Sequence, residues 1–272
     1  MSLPQLKLND GTTIPQIGLG LWQITEDAQF HTAFKTAVDA GYRHFDTAQA
    51  YHNERLLGKA LEESGLKREQ VYITTKIAVQ NFGNKKSRSS FLRSLESLRM
   101  DYVDLLLLHF PVPGLRKKTW TALEDIQRSG AAKSIGVSNF TVEHLTQLEK
   151  YARITPAVNQ VEMHVFLQQD KLAEYCRNRQ IVIEAYSPLA HAKEMDNAVI
   201  NELAGKYGKS YAQIMLRWAL QKDAVILPKS VTPQRIKENL DILDFIISDE
   251  DMHLLAGLDR NLHTCWNPEL VP

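Results

Sequence analysis

Residues 71–76, VYITTK, and 102–109, YVDLLLLH, are apolar runs that each close on a group able to carry a proton, Lys76 and His109. A third run just upstream, 43–48 RHFDTA, contains Asp46 near its end and is followed at once by Tyr51. A strand buried on both faces stays apolar until the chain leaves the core. Polar groups recurring at the downstream ends of successive runs therefore gather on one rim of a parallel barrel. Further runs begin at residues 132 (AKSIGVS), 157 (AVNQVEM), 181 (IVIEAYSP) and 224 (AVILPKS). Most intervals are about 25 to 31 residues, one strand plus one returning helix, and the last is longer. Amphipathic stretches fill them at 25–40, 53–64, 85–99, 116–128, 141–151, 168–177 and 211–221. With 17–21 as the first strand, the chain reads as an eight-stranded parallel (β/α)8 TIM barrel of the α/β class, one domain over residues 1–272. Residues 5–17, QLKLNDGTTIPQI, read as a hairpin turning on Asp10-Gly11 that plugs the amino-end mouth.

Composition narrows the function. Lys plus Arg and Asp plus Glu are 32 each, so no net field favours nucleic acid or an anionic membrane. No apolar run approaches the ~18 residues a membrane span needs, and the amino terminus lacks a signal pattern. Cys176 and Cys265 are the only cysteines, which speaks against a disulfide framework or a cysteine metal site. A cytoplasmic monomer with no bound metal is expected.

The rim groups suit one kind of chemistry. A free phenol titrates near ~10, and a neighbouring ammonium favours its phenolate. Lys76 beside Tyr51 would thus ease proton donation, Asp46 would hold the ammonium, and His109 would donate a hydrogen bond to a substrate oxygen. The set fits hydride addition to an aldehyde or ketone, where charge grows on oxygen and must be protonated. No G-x-G-x-x-G follows a strand, so a Rossmann hydride source is not supported. A phosphate site is indicated instead at 227–239, LPKSVTPQRIKEN, where Lys229 and Ser230 end a strand, Pro233 suits the first turn of a helix, and Arg235 lies within that turn. Two cations and a hydroxyl exceed what a bare pyrophosphate needs and point to an extra phosphate such as the 2′-phosphate of NADPH.

The stretches 41–58 GYRHFDTAQAYHNERLLG, 131–140 AAKSIGVSNF and 227–239 resemble, in order and separation, the three signature regions of the aldo-keto reductases. The short tail, 261–272 NLHTCWNPELVP, and the overall length look most like the bacterial 2,5-diketo-D-gluconate reductase and methylglyoxal reductase group. The resemblance implies an NADPH-dependent carbonyl reductase with Tyr51 as general acid, tuned by Lys76 and Asp46, and His109 orienting the carbonyl. It implies that Ser138, Asn139 and Gln160 hold the nicotinamide carboxamide and that Tyr186 stacks on its ring. Ser187 and Leu189 would follow the pyrophosphate, while Lys229, Ser230, Arg235, Glu238 and Asn239 would hold the 2′-phosphate and adenine.

Departures bear on substrate. Ala78 and Phe110 stand where many members carry Trp, and Leu21 where many carry Thr, so a less aromatic pocket, wider near Ala78, is expected. Trp22, Phe110 and Trp266 are candidate apolar walls, and small or broad carbonyl compounds are the expected substrates. Two other readings remain: a non-catalytic member resembling the potassium-channel β subunits, and a barrel enzyme using Lys76 as a Schiff base. Arg235 and Glu238 could instead form a solvated ion pair. His31, His144 and His253 read as surface groups on helices, and His164 lies nearer the rim without a role in the motif.

Overall fold

The computed structural model describes residues 3–272. A two-stranded antiparallel hairpin, β1 (Gln5–Lys7) and β2 (Thr13–Pro15), comes first. Asp10 shapes its turn by accepting from Thr12 N at 3.0 Å, and Gly11 takes φ 88°, a left-handed value that favours glycine. Leu8 and Ile14 pack on Tyr72, Leu105, Leu107, Val158 and Val225, so the hairpin closes the amino-end mouth of the barrel as expected.

Eight parallel strands follow: β3 (Leu19–Gly20), β4 (His44–Asp46), β5 (Tyr72–Ile77), β6 (Val103–Leu108), β7 (Ala132–Ser138), β8 (Val158–Glu162), β9 (Val182–Tyr186) and β10 (Val225–Leu227). Each pairs with the next, and a parallel bridge between Ile17 and Ile226 joins the two ends of the sheet. The first strand is shorter than the expected 17–21, and Gly18 N and Gly20 N bond to the carbonyls of Ile226 and Pro228 in that seam. Along β6, Leu105 and Leu107 fill the barrel while Leu106 and Leu108 face the helix layer, the period-2 partition of a strand buried on both faces.

The surrounding helices are α1 (Asp27–Ala40), α2 (Glu54–Ser64), α3 (Asn84–Leu98), α4 (Arg116–Arg128), α5 (Val142–Glu149), α6 (Asp170–Arg177), α7 (Ala198–Tyr207), α8 (Tyr211–Gln221), α9 (Pro233–Glu238) and α10 (Asp249–Ala256). Their ends follow local chemistry. Glu26 caps α1 by accepting from Ala28 N and Gln29 N, Ser210 and Gln213 form a capping box on α8, and Pro233 opens α9. α7 and α10 add to the expected set, and α7 with α8 accounts for the long interval before β10. Among the described residues, no helix is long and apolar enough to cross a membrane.

Candidate active site

The carboxyl ends of β4, β5 and β6 bring the predicted quartet together. Lys76 is fully buried, and its Nζ donates to Asp46 Oδ1 at 2.6 Å, Asp46 Oδ2 at 2.8 Å, Thr47 O at 3.0 Å and Tyr51 Oη at 3.2 Å. Tyr51 reaches it from a single 3-10 turn, Gln49–Tyr51. Asn53 holds that turn: it accepts from Thr47 Oγ1 at 2.6 Å and donates to the carbonyls of Leu21 and Ile24. The His109 ring stands edge-on to Tyr51 with centroids 5.8 Å apart, and neither of its nitrogens bonds to a described residue.

Electrostatics divides the labour. Burial opposes the Lys76 charge, but Asp46 and Tyr51 outweigh it and hold the ammonium above the usual lysine value. Burial also pushes the Asp46 carboxyl up, while Lys76 and Gln160 pull it back. With Nζ on both oxygens, we assign the pair as ionised. For Tyr51 burial is the largest influence and raises the phenol above its ordinary value, with Lys76 acting the other way. The ammonium favours the phenolate as expected, and it offsets part of the desolvation without overcoming it. Burial brings the His109 imidazole down to about 3, so it is neutral at pH 7, with one N–H to donate and no charge.

The neighbouring strand ends carry the other predicted residues. Ser138 closes β7 and donates to Gln160 O at 3.0 Å. Asn139 adopts φ 64° and donates from Nδ2 to His109 O at 3.1 Å, while its Oδ1 accepts from Tyr186 Oη at 2.7 Å. That bond fixes the Tyr186 ring beside the quartet. Gln160 Nε2 donates to Asp46 Oδ2 at 2.8 Å, and its Oε1 takes no hydrogen bond from the described residues. Ser187 has φ 49°, and its hydroxyl meets His191 Nε2 at 3.0 Å; half-buried Leu189 follows. Lys229 and Arg235 are exposed and make no ion pair with any described residue, so the Arg235–Glu238 pair is not formed. Ser230 and Asn239 are buried beside them, and Glu238 is half-buried.

Trp22 and Trp266 are exposed, and Phe110 meets Trp266 edge-on at 5.7 Å between centroids. Ala78 departs from expectation. It is covered, its N–H donates to Gln49 Oε1 at 2.9 Å, and Asn81 Nδ2 reaches the same oxygen. Polar side chains occupy the space next to its backbone, so no open wall exists there. His144 is also corrected: it is buried, caps α5 through Thr141, and its Nε2 lies 2.9 Å from Val271 O. His164 is buried under the rim, 3.3 Å from Glu162 Oε1.

Two carboxylates escaped the sequence reading. Glu162, at the end of β8, accepts from the backbone N–H of Thr264 at 2.8 Å and of Cys265 at 3.2 Å, which ties the tail across the rim. Burial works against its charge, yet hydrogen bonds from His164, Thr264 and Cys265 bring it down to about 2. Glu184 lies inside the barrel on β9. Both were visible as acids inside predicted strands, AVNQVEM and IVIEAY.

Comparison with known proteins decides the family: the model of the aldo/keto reductase family matches residues 16–260. The chain belongs to the aldo/keto reductase family. It is 42% identical over 264 residues to glyoxal reductase of Bacillus subtilis, covering 97% of this chain and 96% of that one. It is also 42% identical over 268 residues to methylglyoxal reductase DkgA of Escherichia coli K12, again covering 97% and 96%. Among solved structures, a Bombyx mori aldo-keto reductase in complex with NADP superposes with a TM-score of 0.93 at 31% identity, covering 100% of this chain and 98% of that one. The resemblance read in the three signature stretches, and the (β/α)8 barrel inferred from the strand spacing, are both borne out.

Proposed function

We propose that this aldo-keto reductase reduces small carbonyl compounds, with α-ketoaldehydes such as methylglyoxal in the preferred class, using NADPH and Tyr51 as the proton donor. The observation that carries the reading is the buried Lys76 ammonium, clamped by Asp46 and touching Tyr51 Oη at 3.2 Å at the carboxyl rim. The glyoxal and methylglyoxal reductases of similar sequence support the substrate class.

The residues present fit the nucleotide. Gln160 Oε1, left free beside Ser138 and Asn139, suits an amide N–H. Tyr186, tethered through its hydroxyl, can offer a ring face to a planar heterocycle, with Ser187 and Leu189 on the loop beyond. Lys229 and Arg235, with no carboxylate partner among the described residues, suit a phosphate dianion next to Ser230, Glu238 and Asn239. When bound, NADPH supplies a hydride. The chain does the rest. Neutral His109 donates a hydrogen bond that orients the carbonyl oxygen, and Tyr51 passes its phenolic proton to that oxygen as negative charge develops there. Lys76 stabilises the phenolate left behind, and Asp46 keeps Lys76 charged and in place. A Schiff base at Lys76 would need the neutral amine, which the clamp disfavours.

The deciding experiment is an NADPH-oxidation screen over aldehydes, α-ketoaldehydes, diketones and keto-sugars; no turnover with any of them would remove the reading. Two variants refine it. Arg235→Met is expected to weaken NADPH far more than NADH. Loss of a charged hydrogen-bond pair costs about 1.5 to 3 kcal/mol, or roughly ten- to a hundredfold in affinity. Fluorescence titration of both nucleotides checks this, and an equal loss for the two would make Arg235 a pyrophosphate contact. Phe110→Trp, beside Trp266, is expected to narrow the mouth and lower kcat/KM for a bulky aryl aldehyde about tenfold more than for methylglyoxal. Ala78→Trp is expected to act by displacing Gln49 and Asn81, and so to lower kcat/KM for both substrates. If Phe110→Trp leaves the ratio unchanged, Phe110 does not line the pocket.

A further inference from the structure

One buried carboxyl has no part in the proton donation described above. Glu184 is 0% exposed and lies inside the barrel, with Gln160 opposite it on β8 and Val225 on β10. The single amide group of Gln160 serves two acids: Nε2 donates to Glu184 Oε2 at 2.6 Å and to Asp46 Oδ2 at 2.8 Å. The other oxygen, Glu184 Oε1, is buried without a hydrogen-bond partner, and His44 Nε2 lies 3.5 Å away. The His44 ring places Nδ1 at 3.3 Å from Pro15 O, and a carbonyl can only accept, so Nδ1 carries the proton. A neutral His44 therefore has its lone pair on Nε2, which accepts from the Thr74 hydroxyl at 3.0 Å, and Glu184 Oε1 lies just beyond at 3.5 Å.

Counting charges gives the same answer. Among the described residues, two carboxyl groups face this interior, and one ammonium, Lys76, reaches it, with its Nζ on both Asp46 oxygens. A second carboxylate would be a bare charge in a dry core, which a buried acid avoids by keeping its proton. We propose that Glu184 is a positioning residue, a neutral carboxylic acid with its proton on Oε1 facing His44 and its Oε2 accepting from Gln160. Asp46 alone then balances Lys76, and Gln160 is held with Oε1 facing the site. Burial, reinforced by the Asp46 charge, pushes Glu184 up to about 8, against the pull of Gln160 and Lys76. Burial brings His44 down to about 3, in keeping with its neutral form.

The groups facing Glu184 are His44 and Asp46 from β4, Tyr72 and Lys76 from β5, and Gln160 from β8, with Tyr51 beyond Lys76. When Glu184 ionises, a second negative charge competes for Lys76 and raises the Tyr51 phenol further, making it a weaker acid. Reduction is expected to fall as pH rises through about 8. Folding gives an independent sign. The folded pKa is raised above the ordinary value of 4.5, so between 4.5 and about 8 the unfolded chain has released a proton that the folded chain keeps. Stability from this group is complete at acid pH and is lost as pH climbs through that window.

Glu184→Gln keeps the shape and the acceptor for Gln160 while removing the titration. Urea unfolding of the apoprotein between pH 5 and 8 is expected to show the wild-type folding constant falling at least about tenfold relative to the variant. Infrared spectra of the wild-type apoprotein at pH 6.5 should show a protonated carboxyl stretch that fades by pH 9.5, a readout that stands even if the variant fails to fold. Absence of that stretch at pH 6.5 would mean an ionised Glu184 paired with a charged His44, and would overturn the assignment. The catalytic consequence rests on the carbonyl-reductase reading: wild-type kcat/KM is expected to fall up to about fivefold between pH 8 and 9, a limb missing in Glu184→Gln. Superposed pH profiles would overturn the positioning role even with the stretch present. If no carbonyl compound is reduced at all, the functional reading fails, while the unfolding and infrared results still judge the protonation state.

Discussion

Replacing Tyr51 with Phe is expected to lower kcat for carbonyl reduction by at least ~10²-fold while NADPH affinity stays within about threefold. The ring, its turn and its contact with the Lys76 charge, 4.7 Å from the ring centroid, all persist, so the variant removes little but the proton. Steady-state turnover with methylglyoxal, together with fluorescence titration of NADPH, measures the two halves separately. Near-normal turnover would take the proton-donor role away from Tyr51. Lys76→Met should act in the same direction by a different route, because it removes the one cation among the described residues that opposes the burial of the phenol. Its loss should be smallest at acid pH and grow as pH rises and Asp46, no longer paired, carries charge beside Tyr51.

Gly136→Ala is expected to cost about 3 kcal/mol of stability. Gly136 lies in β7, and a Cβ there would sit 2.5 Å from Val158 O and 2.7 Å from Leu107 Cδ2. The first contact is with the backbone of the adjacent barrel strand, which cannot swing aside as a side chain would. Gly205→Ala is the matched control: it lies in α7, nothing stands within 4 Å of the added carbon, and a gain of about 0.5 to 1 kcal/mol is expected. Chemical denaturation of the two variants tests both signs, and a similar effect at the two positions would refute the steric account.

Much of this arrangement could be read from the chain because a parallel strand announces its own end. VYITTK and YVDLLLLH switch from apolar to chargeable where the backbone exits the core, and those switch points are the groups that meet around Lys76. Groups whose partners are remote in sequence were not legible. His144 sits on a short amphipathic helix and looks solvated, but its partner is Val271 O in the tail, 127 residues away. Glu184 reads as a strand residue, and only the register of β8 against β9 sets it beside Gln160. The short helix α7 carries an apolar stripe, Ile200, Leu203, Ala204 and Tyr207, that the reading of strand spacing passed over, with Asn197 accepting from Ile200 N at its start and Gly208 at φ 63° at its end. The pull of Lys76 on Tyr51 was legible because a charged neighbour is visible in sequence, whereas the opposing burial was not, because depth is a property of the whole barrel.

The grip of Glu162 on the tail has a consequence for how this protein can diversify. Both backbone bonds go to main-chain N–H groups, of Thr264 and Cys265, and a main-chain donor is present whatever non-proline side chain follows it. The tail is thus moored by two backbone bonds, with the Thr264 hydroxyl adding a third, while the side chain that meets Phe110, Trp266, is its next residue. On the proposed reading of Phe110 as a pocket wall, attachment and selectivity are encoded in different residues. A lineage, or an engineer randomising position 266 and its successors, can redraw the outer wall of the pocket without loosening its anchor or touching the proton-transfer groups on β4, β5 and β6.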